Sequence, residues 1–364
     1  MPRPVFDYVD GAAKDEISLR RARATYAGLE FVPSVLRDVG SVDLSISSLG
    51  TDSALPFALA PTGFTRLMHH EGEPAVARAA DAHRIPYALS TLGTTSAEEF
   101  ARDRRGPLWF QLYVWRDRPK VLELVERVAA SGYSTLILTV DVPVAGARLR
   151  DVRNGFSIPP ALTPSTLVAL ASRPRWWADL LTTAPIEFAS LTRWDGTVGE
   201  LIDQLFDPTM TLSDLEWLRS TWTGRLVVKG IQSCDDARRV VDAGADAIVS
   251  SNHGGRQLDR APIPLLLLDE IVAEVGERAE VWVDTGVLSG TDIVAAHALG
   301  ASNVLVGRAY LYGLMAGGEA GVRRALTVLT NEITRTLKLL GVKAIGELRR
   351  EHVRIPAAWY ETSH

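Results

Sequence analysis

The side chains of this sequence best suited to chemistry lie in one short polar stretch, SNHGGRQLD at 251–259. It follows an apolar run at 247–249 that predicts a buried strand. His253 is the residue type most easily poised as a base near neutral pH. Arg256 offers a planar fork that suits a carboxylate. Between them, two glycines permit close backbone approaches that a Cβ would block. The stretch predicts proton transfer beside an anion-binding group; the structural alternative is a polar loop with a hydrogen-bonded histidine.

The elements that must position this stretch form a repeated pattern. Eight apolar, strand-like runs lie at 55–61, 87–91, 108–114, 135–141, 226–230, 247–252, 280–286 and 303–308. Helical patterns separate most of them, at 71–83, 96–102, 119–131, 235–243, 291–299 and from Leu311 onward. Eight buried strands alternating with helices predict an α/β fold, a parallel (β/α)8 TIM barrel. A doubly wound sheet is the competing architecture, but no Gly-x-Gly-x-x-Gly motif follows an early strand.

The chain divides by pattern into a barrel and two additions. We interpret 1–364 as one barrel domain in which 1–54 forms an N-terminal cap region with a helical pattern at 15–26. The interval 142–225 is too long for an ordinary connection and predicts an insertion over the active-site end of the barrel.

Composition excludes several classes of protein. Of 364 residues, 46% are hydrophobic and 23% charged, which is ordinary for a globular protein. A net charge of −5 argues against nucleic-acid binding. The single cysteine, Cys234, fits a reducing compartment, and we assign no metal site. The first residues lack the apolar core of a signal peptide, and no run reaches the ~20 apolar residues that span a bilayer. We expect a cytoplasmic protein, soluble or at most peripheral at the inner face of the membrane.

Polar residues end most of the predicted strands, where barrels of this kind carry their chemistry. Burying the ammonium of Lys229 without a partner would be costly, so we expect an anion opposite it. Gly307 and Arg308 after the eighth run, beside the loop 284–286 after the seventh, match the usual barrel phosphate site. Together these residues predict a phosphorylated cofactor and a small anionic substrate.

Several motifs carry a resemblance to a known family. SNHGGRQLD, with FQLY at 110–113, LTVDVP at 138–143 and VKG at 228–230, resembles the FMN-dependent α-hydroxy-acid dehydrogenase/oxidase family over nearly the whole chain. Within it, APTGFTRLMH at 60–69, VPVAGARLRDVRNG at 142–155, RPRWWADLLTT at 173–183, VDTGVLSG at 283–290 and GRAYLYGLMAGGEAG at 307–321 are similar to the actinobacterial type of quinone-dependent L-lactate dehydrogenases.

The resemblance implies a role for each site residue. His253 would be the base and Asp141 would stabilise its cationic form. Arg148, Arg256 and Tyr8 would bind the substrate carboxylate, Tyr113 the substrate oxygen, and Leu92 would face the substrate side chain. Lys229 would stabilise negative charge on the reduced flavin. The remaining cofactor-binding residues would be Ala60, Pro61, Thr62, Ser90, Gln111, Thr139, Ser251, Asp284, Thr285, Gly286, Gly307 and Arg308.

Two departures from the family pattern stand out. The family usually has an arginine that reaches the FMN phosphate where this chain has Leu288, so phosphate binding would rest on Arg308, backbone N–H groups and Thr285. Only five residues precede Phe6, so the N-terminal helix usual in the family would be largely absent.

The resemblance implies oxidation of an L-2-hydroxy acid, L-lactate first, with electrons passed to a quinone by a homo-oligomer, commonly a tetramer in this family. The nearest alternative is an oxidase of the mandelate, hydroxymandelate or glycolate type that uses O₂. A different class, a non-catalytic barrel that binds a phosphorylated ligand, would not need a base. The aromatic and basic segment 173–188 predicts peripheral membrane contact, or packing onto the barrel or a neighbouring subunit.

Overall fold

In the computed structural model of this chain, eight parallel strands close into a barrel. The structure describes residues 1–155, 174–183, 186, 188–191 and 206–356. The barrel strands are β1 (Ala58–Leu59), β2 (Tyr87–Ser90), β3 (Leu108–Leu112), β4 (Thr135–Thr139), β5 (Arg225–Ile231), β6 (Ala247–Ser250), β7 (Glu280–Val283) and β8 (Asn303–Val306). Each strand pairs with its neighbours in the chain, and β8 pairs with β1. The predicted TIM barrel is confirmed, and each predicted run overlaps one of its strands.

Two stacked tryptophans fill the barrel interior. Trp109 on β3 and Trp282 on β7 are fully buried, and their ring centroids lie 5.1 Å apart. The same cluster contains the small side chains of Ala58, Ala88 and Ala247. Small residues next to large ones allow a closed barrel to fill without voids, so the interior is a packed core and the chemistry must lie at its rim.

Helices follow the strands, at Gly72–His83, Ala97–Asp103, Arg118–Ala130, Leu212–Thr221, Cys234–Asp242, Pro264–Val275, Gly290–Ala298 and Arg308–Leu340. Serine side chains cap the N-termini of two of these helices: Ser96 Oγ accepts from the Glu99 N–H at 3.2 Å, and Ser233 Oγ accepts from the Asp236 N–H at 3.1 Å. The sequence survey missed Pro264–Val275, because its run of leucines hides the helical period. Proline in its first turn and Gly276 directly after it were the available signals.

The N-terminal region contains the helices Arg3–Asp10 and Ile17–Ala27, the second close to its predicted position. A short helix of the insertion, Leu149–Arg153, lies against the first of these. Arg150 pairs with Asp10 at 2.8 Å and also with Glu16. Two small sheets, Glu30–Phe31 with Val353–Arg354 and Ile46–Ser48 with Thr51–Ser53, are antiparallel. Thr65–Met68 is a further short helix, and 3₁₀ turns occupy Ala189–Leu191, His253–Gly255, Ile345–Glu347 and Arg350–His352.

Parts of the insertion pack on the barrel. The helix Pro174–Thr182 carries Trp176, whose indole N–H donates to the Leu67 carbonyl at 3.1 Å. Phe188 is buried, with its ring centroid 4.5 Å from that of Phe64. Arg173 and the side chains of Arg175, Leu180 and Leu181 lie outside the described part of the chain. Among the helices that the structure describes, none is long and apolar enough to cross a bilayer.

Candidate active site

A cavity of about 350 Å³ opens where the barrel strands end. It brings together nearly all the predicted site residues: Tyr8, Ala60, Pro61, Thr62, Ser90, Leu92, Gln111, Tyr113, Thr139, Arg148, Lys229, His253, Arg256, Asp284, Thr285, Gly286, Gly307 and Arg308. Asp141 and Ser251 lie behind this lining and contact it through His253 and Lys229. Residues up to 300 positions apart in the chain therefore share one site.

His253 and Asp141 form a hydrogen-bonded pair. His253 Nδ1 lies 3.0 Å from Asp141 Oδ1; the Asp141 side chain is 2% exposed and that of His253 26%. Burial opposes ionisation of Asp141, but the neighbouring His253 and Lys229 hold the pKa of its carboxyl below the ordinary value. A carboxylate fixed on Nδ1 leaves Nε2 as the ring atom that can take a proton from a ligand.

The backbone around His253 is shaped to bring this pair together. His253 itself has φ +58°, in the left-handed region, and Gly254 and Gly255 follow at +65° and +75°. A Cβ on Gly230 of β5 would lie 2.6 Å from the Asp141 Cβ, so glycine there permits the close approach. The buried Asn252 ties the turn down: its Oδ1 accepts from the Gly255 N–H at 2.9 Å and its Nδ2 donates to the Pro262 carbonyl at 3.0 Å. Strain of this kind is retained mainly at functional sites.

Lys229 has the anionic partner that its burial requires. Its side chain is 6% exposed, and Nζ lies 3.0 Å from Asp284 Oδ2 and donates to Ser251 Oγ at 2.8 Å. Burial disfavours the ammonium, but the carboxylates of Asp284 and Asp141 overcome that cost and raise the pKa of Lys229. The cavity therefore contains a fixed positive charge at neutral pH.

Two guanidinium groups lie close to one aromatic ring. Arg148 and Arg256 lie 5.3 Å and 5.0 Å from the centroid of the Tyr8 ring. Arg256 Nη1 also donates to the carbonyls of Tyr8 and Gly11, at 2.7 Å and 3.0 Å. Burial and the nearby Arg148 lower the pKa of Arg256 to about 10. A bound anion would relieve both the burial cost and the repulsion, so this corner of the cavity is suited to a carboxylate.

Tyr113 lies in the same part of the cavity and is 9% exposed. Its ring makes an edge contact with Phe206, with centroids 5.9 Å apart. Burial, reinforced by the charge of Asp141, raises the pKa of its hydroxyl above the ordinary value. At neutral pH it is therefore a neutral phenol that can donate a hydrogen bond.

A chain of polar groups crosses three adjacent strands on another side of the cavity. Ser90 Oγ donates to Gln111 Oε1 at 3.0 Å, and Gln111 Nε2 donates to Thr139 Oγ1 at 3.1 Å. All three side chains are buried. This arrangement fixes the orientation of the amide and presents alternating donors and acceptors to a planar polar ligand.

The opposite side of the barrel mouth has the features of an anion site. The loop 284–288 after β7 and the start of the helix Arg308–Leu340 after β8 both line the cavity. The first N–H groups of a helix have no carbonyl one turn back to bond, and they favour anions. Thr285 and Gly286 have φ +70° and +85°, so the loop makes a tight turn in the left-handed region beside the helix start.

Sequence reasoning missed several residues of the cavity wall. Arg23, Asp10 and Tyr312 line it, but they belong to helices whose docking cannot be read from local pattern. Val142 and Phe206 line it from the insertion. Behind the wall, Asn252 holds the turn at His253; it is part of the SNHGGRQLD motif, and its place at the end of a buried strand was the signal that could have identified it.

Comparison with known proteins identifies the class to which this fold and site belong. Residues 1–355 match the family described as FMN-dependent dehydrogenase. The chain belongs to that family, and it is an FMN-dependent oxidoreductase rather than a non-catalytic barrel.

Particular relatives refine the comparison. The chain is 59% identical to a Mycobacterium tuberculosis protein named "Putative L-lactate dehydrogenase", over 97% of this chain and 85% of that protein. It is 41% identical to an L-lactate dehydrogenase of Caulobacter vibrioides, over 98% of this chain and 96% of that one. A crystal structure of (S)-mandelate dehydrogenase, described as a monotopic membrane protein, superposes with a TM-score of 0.91 at 37% identity, covering 98% of this chain and 95% of that one.

The chemistry of the cavity fits FMN. A flat ring with polar edges matches the Ser90–Gln111–Thr139 chain, and the buried ammonium of Lys229 faces the same cavity. A phosphate matches the glycine-containing loop and helix start across the barrel mouth. Glycine at 254 permits the close approach of Arg308 to the turn at His253, because a Cβ there would lie 2.7 Å from Arg308 Nη1. The chain therefore has a donor set for both ends of the cofactor.

Proposed function

We propose that this chain oxidises L-2-hydroxy acids to 2-oxo acids, with L-lactate as the preferred substrate. The observation that carries the proposal is the pair of guanidinium groups of Arg148 and Arg256 around Tyr8 in the cavity that also contains His253 paired with Asp141. A carboxylate held by the arginines places the neighbouring hydroxyl carbon of a 2-hydroxy acid within reach of a base.

Each residue then has a defined task. The two arginines hold the substrate carboxylate, and the Tyr8 hydroxyl adds a hydrogen bond to it. His253 Nε2 takes a proton from the substrate, while Asp141 stabilises the imidazolium that results. Tyr113 donates to the substrate oxygen as it becomes a carbonyl. Bound FMN would supply the acceptor for the two electrons and the second proton that the hydroxy acid loses.

The cofactor would be held by three groups of residues. Ala60, Pro61 and Thr62 after β1, with Ser90, Gln111 and Thr139, would contact the ring and ribityl chain. Lys229, supported by Ser251, would stabilise negative charge at the edge of the ring. The phosphate would lie at the end formed by Asp284, Thr285, Gly286, Gly307 and Arg308.

Leu92 is expected to set the size of the substrate. It lines the cavity together with Met68, Val142 and Phe206, so the wall around the substrate side chain is apolar. An apolar wall discriminates weakly between the methyl group of lactate and the phenyl group of mandelate. The substrate test therefore includes mandelate.

The substrate class is tested by anaerobic mixing of FMN-loaded enzyme with L-lactate, L-mandelate and glycolate, following the loss of flavin absorbance. We expect bleaching to be fastest with L-lactate. Faster bleaching by L-mandelate or glycolate would reassign the substrate, and no bleaching by any of the three would overturn the proposed reaction.

We further propose a membrane quinone as the electron acceptor, with contact to the membrane through 173–188. Trp176 is engaged with the barrel, whereas the adjacent Trp177 is half-buried and is the described aromatic side chain we assign to the lipid contact. The membrane-associated mandelate dehydrogenase supports the proposal. Reoxidation of the reduced enzyme separates the two acceptors. Quinone reduction without hydrogen peroxide supports the quinone, and rapid peroxide formation in air indicates an oxidase.

We also propose that the chain forms a homotetramer, which the family resemblance supports. Light scattering after size-exclusion chromatography would test this.

A further inference from the structure

We propose that Arg23 binds the FMN phosphate and supplies the positive charge that Leu288 does not. The inference rests on FMN binding, which membership of the family establishes, and is independent of which hydroxy acid or acceptor the enzyme uses. Arg23 belongs to the helix Ile17–Ala27 of the N-terminal region, far in sequence from the strand ends that hold the other cofactor-binding residues.

The charge of the phosphate calls for a further cation, because Leu288 supplies none at this end of the cavity. A phosphate monoester carries a charge of about −1.5 to −2 at neutral pH. Leu288 lines the cavity there and brings no charge. Backbone N–H groups and a helix dipole attract an anion, but they amount to about half a unit charge. The binding of a dianion is therefore strengthened by at least one full cation.

Arg308 lies at this end but already has other partners. Its Nε donates to the Val9 carbonyl at 3.1 Å, Nη1 to the Gly254 carbonyl at 3.0 Å and Nη2 to the Gly11 carbonyl at 2.9 Å. These contacts point all three nitrogens toward the N-terminal segment and the His253 turn. Two N–H bonds remain for a ligand, so Arg308 can share a phosphate but its main contacts are to the protein backbone.

Arg23 is placed at the loop where the cation is missing. It lines the same cavity as Thr285, Gly286, Val287 and Leu288. Its Nη1 donates to the Gly286 carbonyl and to Asp292 Oδ2, the latter at 2.7 Å. The Arg23 side chain remains 33% exposed. In the described part of the chain its Nε and Nη2 have no hydrogen-bond partner, so one side of the fork is free to face a phosphate.

Asp292 acts as the positioning residue for this arginine. Its side chain is 8% exposed, and the same Oδ2 accepts from the backbone N–H groups of Leu288 and Ser289 at 2.9 Å and 3.0 Å. The carboxylate thus fixes the guanidinium and the loop relative to each other through one atom. A cation held in place before the ligand arrives loses little conformational entropy on binding.

The test compares FMN with riboflavin, which lacks the phosphate, in titrations of apoprotein followed by flavin fluorescence. We expect Arg23→Gln to raise the Kd for FMN roughly 10- to 100-fold, the range for one charge-assisted hydrogen bond, and to leave the Kd for riboflavin within about twofold. Arg20→Gln is the matched control, because Arg20 is exposed on the same helix and, among the residues that the structure describes, its side chain donates to the Asp15 carbonyl alone. It should change neither Kd.

A second substitution should restore FMN binding, and two outcomes would overturn the proposal. Adding Leu288→Arg to Arg23→Gln should restore the preference for FMN over riboflavin. An unchanged Kd for FMN in Arg23→Gln would overturn the proposal, and so would an equal loss of both flavins, which would show that Arg23 only docks the helix. If circular dichroism shows that Arg23→Gln is unfolded, Arg23→Met, which keeps the apolar stem of the side chain and removes its charge, carries the same expectations. None of these measurements uses a substrate, so they do not depend on the proposed reaction.

Discussion

Replacing Asp141 with Asn tests whether the carboxylate behind His253 drives proton transfer. The change keeps the size of the side chain, and the amide oxygen can still accept a hydrogen bond from His253 Nδ1. It removes the charge that stabilises the imidazolium. Two unit charges 3.0 Å apart attract by about 5.5 kcal/mol at an effective dielectric constant of about 20. That value is an upper limit on the barrier increase, and a single charge-assisted hydrogen bond, about 1.5 kcal/mol, is the lower limit.

The two limits correspond to a slowing of flavin reduction between roughly tenfold and about ten-thousandfold. Anaerobic stopped-flow bleaching by L-lactate measures it directly, with FMN content checked beforehand from the absorbance spectrum. The decisive control is the double variant with His253→Gln. If Asp141 acts through His253, the double variant bleaches no more slowly than His253→Gln alone, because residues that act as a unit are not additive. A slowing of less than threefold in Asp141→Asn, or full additivity in the double variant, would refute the reasoning.

Four further predictions address the carboxylate site, the phosphate site and the membrane contact. Arg256→Lys should lower kcat/KM for L-lactate by at least tenfold, since an ammonium cannot reproduce a two-pronged contact; unchanged kinetics would assign the carboxylate to another residue. In the unaltered enzyme, kcat/KM should fall as pH rises through about 10, where the buried Arg256 loses its proton; a flat profile with an intact flavin spectrum would contradict this. Leu288→Arg should retain FMN as well as the parent or better, measured by its dissociation constant, and loss of FMN from the folded variant would place the phosphate elsewhere. Trp177→Ser should weaken co-sedimentation with anionic liposomes and leave lactate-driven bleaching intact; undiminished liposome binding would move the membrane contact to another part of the chain.

The sequence was sufficient to predict the barrel because local patterns encode it. Buried β-branched runs such as Thr135–Thr139 can hardly be anything but inner strands of a parallel sheet. The ends of those strands converge at one rim in any closed barrel, so residues such as Gln111 and Lys229 could be grouped before the fold was known. The helix Pro264–Val275 was missed because a continuous apolar run has no visible period.

The parts that sequence could not supply depend on docking between distant segments. Nothing in the sequence around Arg23 shows that its helix reaches the loop after β7. In the same way, Asp284 could be expected near a phosphate, but only the folded barrel shows that its carboxylate lies 3.0 Å from the Lys229 ammonium. The first helix and the insertion are joined through Arg150, Asp10 and Glu16, a set of charges that looks like ordinary surface residues when read along the chain.

The most direct test of the proposed reaction is the rate of anaerobic flavin bleaching by L-lactate in His253→Gln against the unaltered enzyme, both fully loaded with FMN. We predict that the variant retains its flavin and bleaches at least ~10²-fold more slowly, the lower range for loss of a general base. Bleaching at a nearly normal rate would contradict the assignment of His253 as the residue that takes the substrate proton.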